Sequence, residues 1–435
     1  MAKRLLGISL VLLCALCLGS IILYNLPAFH DRLSLRLANL RVQIREMINP
    51  PEQIVFVPQE QIDIIVQGTL QALTPSPTVT AQQGSSTPQP AEFQTATEPQ
   101  PSPTFTPSPT AIPAQFLLSG IKHEYQKFNN CGPANLSMTL SYWDWVGDQS
   151  VTAAFLRGGE YDKNVMPSEM AAFVNTQSDL KALVRVGGEL ETIKKFIAAG
   201  YPVVIEKGYD PPDDDWMGHY LTFNGYDDSL RQFITQDSLI LPDFPVAYEL
   251  VEDYWRDFNH TYLIVYPPEK ESEVMSILGG DADELANLQN AAQHALQETT
   301  TLEGRELFFA WFNLGSNLVA LEDYVGAAEA FDMAFAVYPT ILEDERPWRV
   351  MWYRDEPYAA YYYTGRYQDI INLANTTFFA LGEYTLEESF YWRGRAKLAL
   401  DDLNGALFDL KKALELNPRY TPAREELEKL GVEAS

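Results

Sequence analysis

The segment Gln126-Lys127-Phe128-Asn129-Asn130-Cys131-Gly132-Pro133-Ala134-Asn135 sets a cysteine at the point where a helix should begin. Pro133 suits a first helical turn. Leu136, Met138, Leu140 and Trp143 supply apolar positions out to about Trp145. The positive end of a helix dipole favours thiolate over thiol. The chain has three cysteines, and Cys14 and Cys17 lie in an apolar run near the N-terminus. Cys131 therefore has no disulfide partner in the rest of the chain, and a free thiol is left to explain. A buried, inert cysteine is the plain alternative. A nucleophile is the sharper one, and it needs a base.

Five histidines are available: His30, His123, His219, His260 and His294. His219 follows Gly218 at the head of a strand-like run ending at Asn224, and the glycine is expected to leave room for a substrate beside the imidazole. The next strand-like run, Phe233-Ile234-Thr235-Gln236-Asp237, ends on a carboxylate. Turn signals at Gly225, Asp227 and Asp228 make the two runs antiparallel neighbours. That pairing would bring Asp237 beside His219, where a third group fixes the imidazole tautomer. His123, expected on a strand, and His260, expected in a loop before Tyr262–Tyr266, are assigned surface or structural roles. Lys207, Trp216 and Tyr220 lie near the expected cleft and are candidates for its walls, with ordinary packing as the alternative.

These residues resemble the papain-like cysteine peptidases that remove double-glycine leaders from bacteriocins, in the broader branch found without a transporter. That family shows a Gln, then Cys-Gly-Pro/Ala opening a helix, then Gly-His on a strand, then Asp. Gln126, Cys131-Gly132-Pro133, Gly218-His219 and Asp237 match in order and spacing over about 150 residues. The resemblance implies that Cys131 is the nucleophile, His219 the base and Asp237 its orienting partner. It also implies that Gln126 and the Cys131 backbone N–H are the two oxyanion donors. The sequence departs from the leader peptidases in carrying no transporter spans and no nucleotide-binding motif.

Around this core, residues 114–266 read as an α+β domain. Strands are expected at Tyr201–Glu206, His219–Asn224, Arg231–Thr235 and Tyr262–Tyr266, and further helices at 167–176, 189–199 and 247–257. Pro267 and Pro268 close it. Residues 267–435 read as helical, with an internal repeat. In 308–341, Trp311, Leu314, Gly315, Ala327, Phe331, Ala334 and Pro339 fall at tetratricopeptide offsets. In 387–420, Phe390, Gly394, Ala406, Leu410, Ala413 and Pro418 do the same. The unit between, 351–384, keeps the turn Thr364–Ile371 but loses several signature positions. Such arrays present a concave face to peptides or partner proteins.

The N-terminal part is of another kind. Residues 5–26 are expected to form an uncleaved transmembrane signal anchor: Leu5 to Tyr24 is uncharged and rises about 30 Å as a helix. Residues 27–73 read as a juxtamembrane amphipathic segment, with leucines at 33, 35, 37 and 40 between arginines. Residues 74–113 hold ten Pro, nine Thr and five Ser among 40 residues, with no Lys or Arg. That composition cannot bury a core and reads as a disordered spacer. A spacer between anchor and domain suits the cell exterior, so everything after residue 30 is placed outside a single-pass membrane helix.

The net charge of −28 repels phosphate backbones and excludes nucleic acid as a partner. No metal-ligand cluster, phosphate loop or nucleotide fingerprint is found, so no cofactor and no metal are expected. The expected activity is hydrolysis of a peptide or protein substrate. Two other functions fit the same residues: an inactive peptide-binding adapter, and non-proteolytic acyl transfer at an amide.

Overall fold

The computed structural model describes residues 112–433 except 160, 161, 163, 212, 213 and 382–384, together with 36, 37, 40, 41, 44 and 55–59. The expected anchor at 5–26 lies outside these residues, as does most of 27–73 and of 74–113. Among the described residues no helix is long and apolar enough to cross a membrane.

Seven strands form one antiparallel sheet: β1 (Gln115–Leu117), β2 (Lys181–Arg185), β3 (Val203–Tyr209), β4 (Met217–Asp227), β5 (Gln232–Gln236), β6 (Phe244–Ala247) and β7 (Tyr262–Tyr266). The order is β2-β7-β3-β4-β5-β6, with β1 added to the end of β4. Side chains alternate between faces along a strand, and both faces are apolar here. Val204, Tyr220, Leu263 and Val265 pack under α1 (Cys131–Tyr142) and α3 (Pro167–Gln177), α2 (Gln149–Leu156) lying beside them. On the other face, Val203, Ile205, Leu221, Phe223 and Ile264 meet α4 (Leu190–Ala198), α5 (Tyr248–Arg256) and α6 (Glu271–Leu278). Val274 and Leu278 bury against this sheet, so α6, although it follows Pro267 and Pro268, packs with the strands.

Helix α1 is buried on every side from Gly132 to Ser141. Its polar residues are therefore bonded inward. The Thr139 hydroxyl donates to the Asn135 carbonyl, Ser141 to that of Met138, and Ser137 to the Glu124 carboxylate.

Helices α7 (Glu284–Glu298), α8 (Gly304–Ala320), α9 (Tyr324–Val337), α10 (Glu356–Tyr363), α11 (Tyr367–Leu381), α12 (Glu387–Ala399), α13 (Leu403–Leu416) and α14 (Thr421–Lys429) make the C-terminal region. Small residues set the close approaches. A Cβ at Gly315 of α8 would lie 2.7 Å from the Phe331 ring of α9, and one at Gly394 of α12 would lie 3.2 Å from Leu410 of α13. The middle pair differs. Pro357 starts α10 late, and 338–355 holds only short 3₁₀ turns.

That irregular stretch docks on the sheet domain. Trp348 donates to the Asp215 carboxylate at 2.8 Å, Arg349 to Asp214 at 2.8 Å, and Arg354 to the Asp257 carbonyl at 3.0 Å. A second contact comes from upstream. Phe56 is buried in the helical region with its ring 5.0 Å from Phe335, and the Gln59 N–H donates to Asp369 at 2.9 Å.

Candidate active site

The site forms where one edge of β4 is left open. Strand β4 pairs with β3 along Met217–Phe223, but with β5 only from Thr222 onward. On the β5 side, the backbone from Met217 to Leu221 has no strand beside it. Helix α1 fills part of that gap with its N-terminus. The Asn135 side chain takes the Tyr220 carbonyl at 2.8 Å, and the Tyr220 N–H points at the Cys131 thiol.

Asn130, the residue before α1, is of a capping type, yet it makes no side-chain cap. Its amide is drawn to Gln149 at 2.7 Å instead. Pro133 has no N–H and the Ala134 N–H donates to the Asn130 carbonyl, which leaves the N–H groups of Cys131 and Gly132 at the thiol end without an intrahelical acceptor. The Gly132 N–H reaches Cys131 itself. Cys131 is half-buried, while His219 and Asp237 are each 3% exposed.

His219 hydrogen-bonds the Cys131 thiol and, through Nε2, Asp237 Oδ1 at 3.1 Å. With Nε2 engaged by the carboxylate, the thiol contact falls to Nδ1. Burial pushes the Cys131 thiol up, but the facing imidazole and the N–H groups of Tyr220 and Gly132 outweigh it and hold the thiol below its ordinary value. Burial pulls His219 down, and Asp237 together with Cys131 reverses this, raising the imidazole to about 9. Burial also works against the Asp237 charge, but His219 and the Leu239 and Ile240 N–H groups hold that carboxyl below the usual range. The arrangement favours a thiolate–imidazolium pair backed by a carboxylate.

Gln126 is 8% exposed and is clamped from the Asp237 side. The Ser238 hydroxyl donates to Gln126 Oε1 at 2.8 Å, and the Gln126 N–H donates to the Ser238 carbonyl at 2.9 Å. Since Oε1 is held, the amide NH₂ is turned the other way and is free to donate. Asn135 Nδ2 reaches Ser238 Oγ at 3.1 Å and closes the circuit back to α1.

Residues 118–263 match the model of the Peptidase_C39 like family. This stretch is a C39-like α+β domain. Two crystal structures are similar to it. One is of a Bacillus anthracis protein assigned as a C39-like peptidase, at 17% identity and a TM-score of 0.30, covering 35% of this chain and 96% of that one. The other is xylellain, a cysteine protease from Xylella fastidiosa, at 14% identity and a TM-score of 0.28, covering 37% of this chain and 90% of that one. A search of curated proteins found no match.

The other sequence candidates sit elsewhere in the C39-like domain. His123 lies in an irregular segment and not on a strand; its Nδ1 is 3.0 Å from Gln236 Oε1. His260, in the left-handed region at φ 49°, is packed against Trp255, and burial pulls its imidazole down to about 3. Trp216 stacks on Phe258, donates to Asp257 at 2.8 Å and lies against Phe309 and Tyr353, so it joins the two regions. Lys207 stands opposite His219 in the β3–β4 register and is buried, which pulls its amine down to about 8 against three carboxylates led by Asp237. The Tyr220 hydroxyl is tied to the Val165 carbonyl at 2.7 Å.

One expectation is corrected. The space beside Gly218 is not open to a substrate. A Cβ there would meet Phe258 at 2.8 Å and Tyr353 at 3.0 Å, so the glycine admits these two rings. Sequence patterns missed Ser238, Asn135 and Tyr353. The Ser beside a candidate Asp and the Asn one turn into a helix carry no signal until the strands are paired.

Proposed function

We propose that the chain is a membrane-anchored extracellular cysteine peptidase that hydrolyses peptide bonds of a peptide or protein substrate. The observation that carries this is the hydrogen-bonded run Cys131–His219–Asp237. The Cys131 thiolate attacks the scissile carbonyl, and the C–S bond forms as the carbonyl electron pair moves onto oxygen. The Gln126 amide and the Cys131 N–H receive that oxyanion. His219 passes its Nδ1 proton to the leaving amine, the C–N bond breaks, and a thioester remains. Water, deprotonated by His219, then releases the acid and restores the thiol. Asp237 keeps the ring aimed throughout.

The anchor at 5–26 and the exterior location rest on the apolar run and the composition of 74–113. The tetratricopeptide assignment of the helical region, with a protein partner on its concave face, rests on the repeat offsets and the paired helices. Profiling the full chain against peptide libraries beside Cys131→Ala tests the activity. Cleavage that persists in the Cys131→Ala protein, or no cleavage in the parent, overturns it.

A further inference from the structure

The helical region reaches the reactive thiol through Tyr353. Tyr353 follows the 3₁₀ turn Val350–Trp352 and is half-buried. Its ring lies against the Cα of Gly218, directly before His219. The Gly218 N–H, on the same open edge of β4 as that of Tyr220, points at the Tyr353 phenolic oxygen, and Cys131 is near enough to act on that phenol electrostatically. The backbone of Tyr353 is held from the opposite side. The Asn164 side-chain amide donates to its carbonyl at 3.3 Å. Asn164 precedes Val165, whose side chain lines Gly132 next to Cys131.

One residue thus touches β4 through its ring and, through its carbonyl, the Asn164–Val165 segment that packs beside the start of α1. Its neighbours fix it. Arg354 bonds the Asp257 carbonyl, Asn313 at 3.2 Å and Ser316 at 2.7 Å, and Arg349 bonds Asp214. Both arginines are buried, at 6% and 3% exposure, so the segment is a fixture of the fold.

We infer that Tyr353 is a specificity-determining wall that closes the C39-like cleft at the Gly218 end, so that the site takes peptide ends and not peptide interiors. The inference rests on the peptidase reading for its substrate class. The wall itself rests only on the placement of Tyr353. A bulky group or a continuing chain must cross that end of the cleft to reach Cys131, whereas a small reagent need not. The helical region is then part of the active site and not a separate module.

The test uses the full-length protein and needs no turnover for its first part. Alkylation of Cys131 is followed by mass spectrometry with iodoacetamide and with fluorescein maleimide. Tyr353→Ala should raise the bulky-to-small rate ratio by about tenfold or more, while Tyr353→Phe, which keeps the ring, should leave it near the parent value. Asn164→Ala, which releases only the carbonyl anchor, should give an intermediate rise, and it answers the question should Tyr353→Ala unfold. An unchanged ratio in the folded variants overturns the wall. In the second part, peptides of increasing length are digested. The parent should cut near one end only, and Tyr353→Ala should gain internal cuts. Internal cutting by the parent overturns the wall and leaves the peptidase standing. Size-gated alkylation with no cleavage of any peptide supports the wall and overturns the peptidase.

Discussion

Asp237 Oδ1 lies 3.1 Å from His219 Nε2 and accepts N–H bonds from Leu239 at 2.8 Å and Ile240 at 3.1 Å. Two backbone donors prevent this carboxylate from turning away from the ring. The competent form pairs a Cys131 thiolate with a protonated His219. Activity should therefore fall on the alkaline side near pH 9, as His219 loses its proton, and on the acid side as the thiolate gains one, below the ordinary thiol value. Asp237→Asn keeps an acceptor but removes the charge that raises His219. Its alkaline limb should move to lower pH, and kcat/KM should fall by less than in His219→Ala. A limb that stays in place in a pH–kcat/KM profile would show that Asp237 does not set the imidazole.

The proposed roles also imply graded losses in kcat. Cys131→Ala should abolish turnover. Gln126→Ala should cost about 10²–10³, the usual scale for one oxyanion donor. Ser238→Ala removes only the hydroxyl that holds Gln126 Oε1, so its loss should be smaller than that of Gln126→Ala. The reverse ranking would assign the donor role elsewhere.

The interface between the two regions should be sensitive to pH. Asp162 and Glu169 of the C39-like domain share a site with Glu387 and Glu388 of α12, beside Arg157 and Arg419. Burial pushes the Glu169 carboxyl up to about 7, and the Asp162 charge adds to this. Glu387 is raised in the same way. Because these folded values lie above the unfolded ones, the cluster's stabilisation is complete below the ordinary glutamate value of 4.5 and is lost as pH climbs through about 7. The Tm of the full chain should fall between about pH 5 and pH 8. Glu387→Gln should flatten that slope, and an equal slope in both proteins would refute the assignment.

Gly218→Ala addresses packing. The new methyl would stand 2.8 Å from Phe258 and 3.0 Å from Tyr353. Overpacking of this kind costs about 1–3 kcal/mol. Denaturant unfolding should show the loss, and a midpoint equal to that of the parent would mean the rings have room to move.

Much of this was legible because it is local. Cys131 at a helix start and the antiparallel neighbours carrying His219 and Asp237 follow from short patterns, and the structure brings these groups together. Strands β1 and β6 escaped because Gln115–Leu117 and Phe244–Ala247 are short, and β6 contains Pro245, while β2, Lys181–Arg185, is closed by a charged residue at each end. Helix α2 escaped because its sequence, Gln149–Leu156, lacks a strong apolar stripe. Gly218 was assigned open space because its occupant comes from Tyr353, far along the chain and in a stretch without regular structure. No periodicity encodes such docking.

Phe56 gives the folded body a second point of attachment to the chain, upstream of the sheet domain. The polypeptide is fastened to the folded body at 55–59 and again from Ile112 onward, where Ile112 packs on the sheet core and the Pro113 carbonyl takes the Tyr226 hydroxyl at 2.7 Å. The polypeptide is thus stapled to one folded body at two places, and a single cut between them would leave two polypeptides joined by side-chain contacts. Separation of the two pieces would then wait on dissociation of the 55–59 contact, and Phe56→Ala should turn a slow, two-step release into an immediate one.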